Sequence, residues 1–211
     1  MPITINENVS SEIVQKKSRF IANLFYVQTE EEANEKIKEI RRKYYDAKHH
    51  CYAFSIMQNG SLLSRMSDDG EPSGTAGMPM LNILQKKELV NVLVIVTRYF
   101  GGTLLGTGGL VRAYTDATLS ALEKVTFAYE ETGYELELTL DYSDLSPFEY
   151  YAQKNNIKIT SIEYGQIIRC KVEVAKDKLE KITCLSNNNI FKIQKYIILR
   201  EKMIKKSLKN K

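Results

Sequence analysis

The sequence contains no tryptophan, and among its 211 residues it has two histidines, three cysteines and four prolines. Each scarcity narrows the possibilities. Cys51, Cys170 and Cys184 are odd in number, widely spaced and without a C-x-x-C pair, so no disulfide framework is expected. Cys170 shares a face with Ile168, Val172 and Val174 in an alternating run and reads as a small core residue. Cys184 sits in a helical pattern and reads the same way. Long apolar runs are also missing. The longest, Leu89 to Val96, is broken by Asn91 and is far too short to span a bilayer. Met1 to Glu7 shows no basic stretch followed by an apolar one, so no signal peptide is expected. These readings place the chain in the cytosol, away from membranes.

Acid and base nearly balance, with 30 Lys and Arg against 26 Asp and Glu and a net charge of +4. The excess is local. From Lys195 to the end there are seven basic residues and one acid, Glu201, for +6, which leaves −2 for the remainder. Residues 201–211 read as a solvated, partly disordered basic tail, with nucleic-acid attraction as the competing reading.

The hydrophobic pattern describes an α+β chain in two parts. Ser18 to Val27 reads as a strand. Thr29 and Glu32 form a capping box ahead of a helix carrying Ala33, Ile37, Ile40 and Tyr44. Tyr52, Phe54 and Ile56 alternate, and Asn59-Gly60 predicts a hairpin into a strand over 62–67. A helix is expected over 75–87. Val92 to Val96 reads as a central strand buried on both faces, and a further helix through Leu110, Tyr114, Ala117 and Ala121 ends near Glu123. The pattern restarts at Glu130 to Gly133, which reads as the join between domains 1–130 and 134–200. Beyond it come a strand through Leu136, Leu138 and Leu140 and a capping box at Ser146-Pro147-Phe148-Glu149. Strands follow over 157–162 and 166–174, then a helix over 177–186 stopped by Asn187 to Asn189, and a strand over 190–199. That order, β-α-β-β-α-β, is the ferredoxin-like split unit.

The segment Thr97 to Arg112 holds five of the eleven glycines, between the central strand and a helix. Such a junction aims backbone N–H groups and a helix N-terminus outward, where a phosphate-type anion can be received between Arg98 and Arg112. It fails the specific templates. Gly101 and Gly106 have P-loop spacing but are followed by Thr107-Gly108, and Val111 stands where the dinucleotide fingerprint needs its last glycine. The bland alternative is tight turns, helix–sheet packing and a structural ion pair for Arg98.

A second loop, Ser67 to Pro79, places Asp68, Asp69 and Glu71 within four residues. Three carboxylates can hold Mg²⁺, although this is not the calcium-loop pattern and the same residues are ordinary turn-makers. A third possibility is that the acids pair with Arg98 or Arg112 across a groove. In His49-His50-Cys51 only His49 can share a face with the sulfur, and no third orienting residue is assignable, so a Cys–His nucleophile is disfavoured. One histidine is expected to be hydrogen-bonded near the acidic loop.

His49 to Ala53, Asp68 to Gly77, and Arg98 to Gly102 with Leu105 to Leu110 resemble, in order and spacing, the YigZ/Impact family across roughly residues 18–123. The resemblance implies a ribosomal protein S5 domain 2-like fold for the first domain and a YigZ-type ferredoxin-like second domain. It also implies a non-enzymatic regulatory or binding protein associated with translation, meeting RNA, the ribosome or a translation-related protein. Eukaryotic Impact proteins act by restraining a kinase. They carry an RWD domain ahead of the family core, which is not seen in this sequence, so kinase control is not carried over. His50, Asp68, Asp69, Glu71, Ser73, Arg98, Gly101, Gly102, Gly106, Gly108, Gly109 and Arg112 are the ligand- or partner-binding candidates. No catalytic residue, metal ligand or cofactor is assigned. The competing class is a Mg²⁺-dependent enzyme acting on a phosphorylated substrate or nucleic acid, with metal at the acidic loop facing phosphate at the glycine loop.

Overall fold

A computed structural model describes residues 2–58, 60–184 and 191–207. The chain divides into two compact units, Pro2–Tyr129 and Glu130–Lys206. The first contains β1 (Ile3–Ile5), β2 (Val9–Gln15), β3 (Ser18–Tyr26), α1 (Glu30–Lys43), β4 (His49–Gln58), β5 (Ser61–Ser67), α2 (Gly77–Lys86), β6 (Val92–Tyr99) and α3 (Thr107–Leu122). Five strands form one sheet in the order β2-β3-β6-β4-β5, every neighbouring pair antiparallel.

Strand β6 lies at the centre and its side chains serve two cores. Val92, Val94 and Val96 pack with α2 and α3, including Met80, Leu84, Leu110, Tyr114 and Ala117. Leu93 and Ile95 pack on the opposite face against Ala33, Ile37 and Ile40 of α1. Val92 through Arg98 are all buried, as the continuous apolar run predicts for Val92 to Val96. Helix α1 starts at the expected capping box. Thr29 Oγ1 accepts from Glu32 N at 3.1 Å, but the Glu32 carboxylate reaches back one residue further than expected, to Gln28 N at 2.7 Å. Strands β1 and β2 have no counterpart in the sequence reading. Strand β2 is an edge with one buried residue, and its turn to β3 is Lys16-Lys17, both at positive φ, rather than a glycine pair. Gln58 pairs with Ser61 at the expected hairpin, whose Asn59 lies outside the described residues.

The second unit begins inside a strand. β7 (Phe127–Leu140) pairs through Phe127 to Tyr129 with β1 and through Gly133 to Leu140 with β9 (Ile168–Ala175). The expected join at Glu130 to Gly133 is therefore continuous strand. Gly133 serves close packing, because a Cβ there would stand 2.6 Å from the Val174 carbonyl oxygen. α4 (Tyr142–Lys154), β8 (Lys158–Glu163), α5 (Leu179–Cys184) and β10 (Ile193–Ser207) complete the β-α-β-β-α-β order. The strands lie β10-β7-β9-β8 in the sheet. Leu136, Leu138, Leu140, Cys170, Val172 and Phe148 form its core.

Three expectations in this half need correction. Helix α4 starts at Tyr142, not at Ser146, and holds Pro147 in its interior. The reason is packing: Leu145, Phe148 and Ala152 all join the core, so the helix must already run at Leu145, despite the ladder bond that proline cannot donate. The strand expected to end at Leu199 continues, so Glu201 to Ser207 belong to β10 rather than to a solvated tail. Ile204 is buried, Lys202 meets Glu173 at 2.7 Å and Lys206 meets Glu131 at 3.5 Å. The Asn187 to Asn189 stop, the burial of Cys184 and residues 208–211 lie outside what is described. Among the described residues no helix is long and apolar enough to cross a membrane.

Candidate functional site

The residues singled out from the sequence converge at one end of the β4–β6 pair in the first unit. His49 lies opposite Arg98 in the β4–β6 register, and Phe20 of β3 lies opposite Arg98 on the other side. Period-2 alternation then puts Arg98, Cys51 and Phe20 on the face covered by α2 and α3. A charged side chain on that face has to be paired, and it is. Arg98 Nη1 donates to Glu71 Oε1 at 2.7 Å, and both side chains are buried, at 8% and 3% exposure. Tyr114 of α3 donates its hydroxyl hydrogen to the same Glu71 oxygen at 2.8 Å. The Arg98 guanidinium also stands 5.6 Å from the centres of the Phe20 and Phe100 rings.

Cys51 belongs to this network as a neutral thiol. Its sulfur lies 2.9 Å from the Asp68 carbonyl oxygen and 3.3 Å from the Tyr114 hydroxyl. Burial, only partly offset by the Tyr114 contact, pushes the thiol up to about 12, so it is not a nucleophile at neutral pH. Burial likewise pushes the Tyr114 phenol up.

The acidic loop is built by its own carboxylates. Asp68 Oδ1 accepts from Ala76 N at 2.9 Å and Gly77 N at 2.8 Å, and Oδ2 accepts from Gly74 N at 2.8 Å. It thereby satisfies N–H groups at the start of α2, whose N-cap Ala76 has no side chain to offer. Burial raises the Asp68 pKa, but the three N–H donors outweigh it and hold the group below the ordinary aspartate value. Asp69, at φ +41°, accepts from His50 N at 2.7 Å and pairs with Arg41 at 2.6 Å. His49 Nδ1 lies 2.9 Å from the Asp69 carbonyl oxygen, and His50 Nδ1 lies 3.1 Å from Thr97 Oγ1. His50 is 6% exposed, and burial lowers its pKa. A Mg²⁺ ion at Asp68, Asp69 and Glu71 would have to displace these bonds, so the set does not fit a resident metal.

The glycine loop is different. It is fastened at one end, where Gly101 N donates to Ser18 Oγ at 3.1 Å and a Cβ on Gly101 would collide with the Lys17 carbonyl group. Beyond that point it opens to solvent. Gly102 and Gly106 are exposed at φ +84° and +75°, and Leu104 is 81% exposed. Gly106 caps α3 without a side-chain bond, and Thr107, Gly108 and Gly109 form its first turn with no acid among them. A Cβ on Gly108 would meet nothing within 4 Å. Ser73 and Arg112 are exposed and stand outside the Arg98–Glu71 pair. A cavity of about 320 Å³, lined by Asp46 to His49 and Arg98 to Phe100, lies beside the loop.

The structure thus joins Arg98 to the acidic loop through Glu71, one of the open possibilities, and turns Arg98 inward rather than toward an incoming anion. The sequence reading placed Tyr114 only on a helix's packing face. The available signal was that a buried phenol requires a hydrogen-bond partner.

Comparison with known proteins places the chain in a family. Residues 16–122 match the Impact N-terminal domain, and residues 138–183 match a domain of unknown function, DUF1949. The IMPACT family member YvyE of Bacillus subtilis (strain 168) is 37% identical over 171 residues, covering 81% of this chain and 78% of the relative. The IMPACT family member YigZ of Escherichia coli (strain K12) is 34% identical over 183 residues, covering 86% and 87%. A solved structure described as the crystal structure of an hypothetical protein superposes with a TM-score of 0.62 at 31% identity, covering 94% of this chain and 97% of its own. With both halves matched in order and the bacterial relatives aligned over most of their length, this chain belongs to the IMPACT family.

Proposed function

We propose that this chain is a non-enzymatic binding protein of the translation apparatus that docks a protein partner through the open part of the glycine loop. One contrast carries the reading. Asp68, Asp69, Glu71 and Arg98 are all committed to bonds within the fold, whereas Gly102 to Leu104, Gly106 to Gly108 and the apolar side chain of Phe100 are exposed to solvent, with Leu105 between them packed on the core. Exposed glycine backbone lets a partner approach closely, and exposed apolar side chains beside it supply area to bury. The link to translation comes from the family resemblance, whose eukaryotic members regulate it. A protein is favoured over RNA because Phe100 and Leu104 make the open rim apolar and Arg98 is internally paired, which leaves Arg112 of α3 as the exposed arginine of this segment. In the second unit, the sheet face away from the helices carries Glu135, Glu137, Lys171 and Glu173, a mixed-charge surface and not an aromatic stacking platform. The cytosol is the setting in which such a partner would be met.

The test is capture from a cell lysate on the immobilised chain, separated into ribosomal, RNA and protein fractions before and after nuclease. A nuclease-resistant protein, free or ribosome-bound, is expected, and free chain should compete it off. An eluate made only of RNA, or one unchanged when the glycine rim is altered, would contradict the reading.

A further inference from the structure

Strand β10 departs from the rest of the molecule in one respect. Tyr196, Ile197, Ile198 and Leu199 are consecutive in the strand and 43–46% exposed. Successive side chains in a strand point to opposite faces, so this segment shows apolar surface on both. Its flanks are exposed as well, from Gln194 to Glu201. Among the described residues β10 pairs with β7 and with no second strand, which leaves one backbone edge open. A long apolar open edge is what folded proteins ordinarily blunt with charge, proline or a bulge. None of these interrupts Tyr196 to Leu199.

We propose that this edge pairs antiparallel with the same strand of a second copy of the chain, about a two-fold axis at Ile198. The sequence selects the partner and the register. With Ile198 opposite itself, Ile197 faces Leu199, Tyr196 faces Arg200, Lys195 faces Glu201 and Gln194 faces Lys202. Apolar residues meet apolar residues, arginine meets an aromatic ring, and a lysine meets a carboxylate twice by symmetry. Opposite residues of an antiparallel pair share a face, so a two-fold seam is centred on a residue, and the neighbouring registers are centred on Ile197 and Leu199. The first sets Lys195 opposite Leu199 and Glu201 opposite Ile193, and the second sets Lys195 opposite Met203 and Glu201 opposite Ile197. Both neighbouring registers therefore lose the two lysine–carboxylate contacts and set the charges against apolar side chains. The seam of a single strand pair is small beside a standard interface of roughly 1,600 Å², so the dimer is a weak one, in the micromolar range.

Sedimentation velocity of the full chain across a concentration series tests the proposal, with thermal melting confirming that each variant is folded. The parent should convert from monomer to dimer as its concentration rises. Ile198→Lys sets two ammonium groups together at the axis and should leave only monomer. Lys195→Glu and Glu201→Lys each replace two attractive contacts by two repulsive ones and should each weaken the dimer roughly tenfold. The double reversal, Lys195→Glu with Glu201→Lys, should restore it. A parent that stays monomeric throughout overturns the proposal, as does a dimer that persists in Ile198→Lys. Failure of the double reversal to recover association overturns the register.

Discussion

The acidic loop and the glycine loop carry the two richest motifs of the chain and meet through one ion pair, yet they are built oppositely. In the acidic loop each carboxylate has an internal destination: Asp68 on three backbone N–H groups, Asp69 on Arg41 and His50, Glu71 on Arg98 and Tyr114. In the glycine loop Gly101 is fastened through its N–H and Leu105 packs on the core, while the other residues from Gly102 to Gly108 are exposed and α3 begins without a side-chain cap bond. A motif that satisfies itself holds a fold together. A motif left unsatisfied at the surface is available to something else. Conspicuous charge is a poor guide to which is which.

The contrast can be broken first at its largest energy. Arg98→Ala leaves Glu71 buried without its cation, and removal of one partner of a buried pair costs about 3–5 kcal/mol. Chemical denaturation should show that loss, and any binding defect should follow the unfolded fraction. Stability close to the parent's would mean that the pair is not structural.

Asp68→Ala is expected to cost about 2 kcal/mol, since it strips acceptors from three N–H groups at the start of α2. Asp68→Asn isolates the charge. The folded pKa of Asp68 lies below the unfolded value of about 3.9, so its stabilisation is complete above that unfolded value and is lost as pH falls through the folded one. The melting-temperature gap between parent and Asp68→Asn should therefore be widest near neutral pH and close under acid. A gap that widens on acidification would reverse the assigned sign.

Gly108→Ala sharpens the comparison from the other side. Its Cβ would enter open space in the first turn of α3, so helix propensity should leave stability unchanged or raise it by up to about 1 kcal/mol. If the fold does not require this glycine, close approach of a partner does, and capture should fall while the melting temperature holds or rises. A variant that is more stable and binds as the parent would remove Gly108 from the surface.

Much of the fold was legible because its signals are local. The capping box at Thr29, the two-sided apolar run of β6 and the alternation of Leu136, Leu138 and Leu140 each report on their own few residues. The failures came where tertiary context overrode such signals. Ser146-Pro147 looks like a helix start, but the packing of Leu145 carries α4 back to Tyr142. Lysines at the end of the chain look like a tail until Glu131 and Glu173 are placed beside Lys206 and Lys202. Strand β2 buries too little to announce itself, and its Lys16-Lys17 turn lacks the usual glycine. For the site, an Arg98 ion pair with the acidic loop was among the foreseeable options. The choice of Glu71, and the part played by Tyr114 forty-three residues away, needed the packing of Tyr114 on α3 against Phe20 of β3 and Cys51 of β4. Spacing along the chain contains no such information.

The smallest expected change in stability goes with the most direct test. Leu104 is 81% exposed, and a surface substitution there should move stability by no more than about 0.5 kcal/mol. Leu104→Asp places a charge in the middle of the apolar rim without touching Arg98, Glu71 or Asp68. The decisive measurement is a titration of the lysate-captured partner against parent and Leu104→Asp, run beside their melting curves. The account predicts superimposable melts and an affinity at least tenfold weaker for the variant. Equal affinity at equal stability would show that the glycine loop is not where the partner binds.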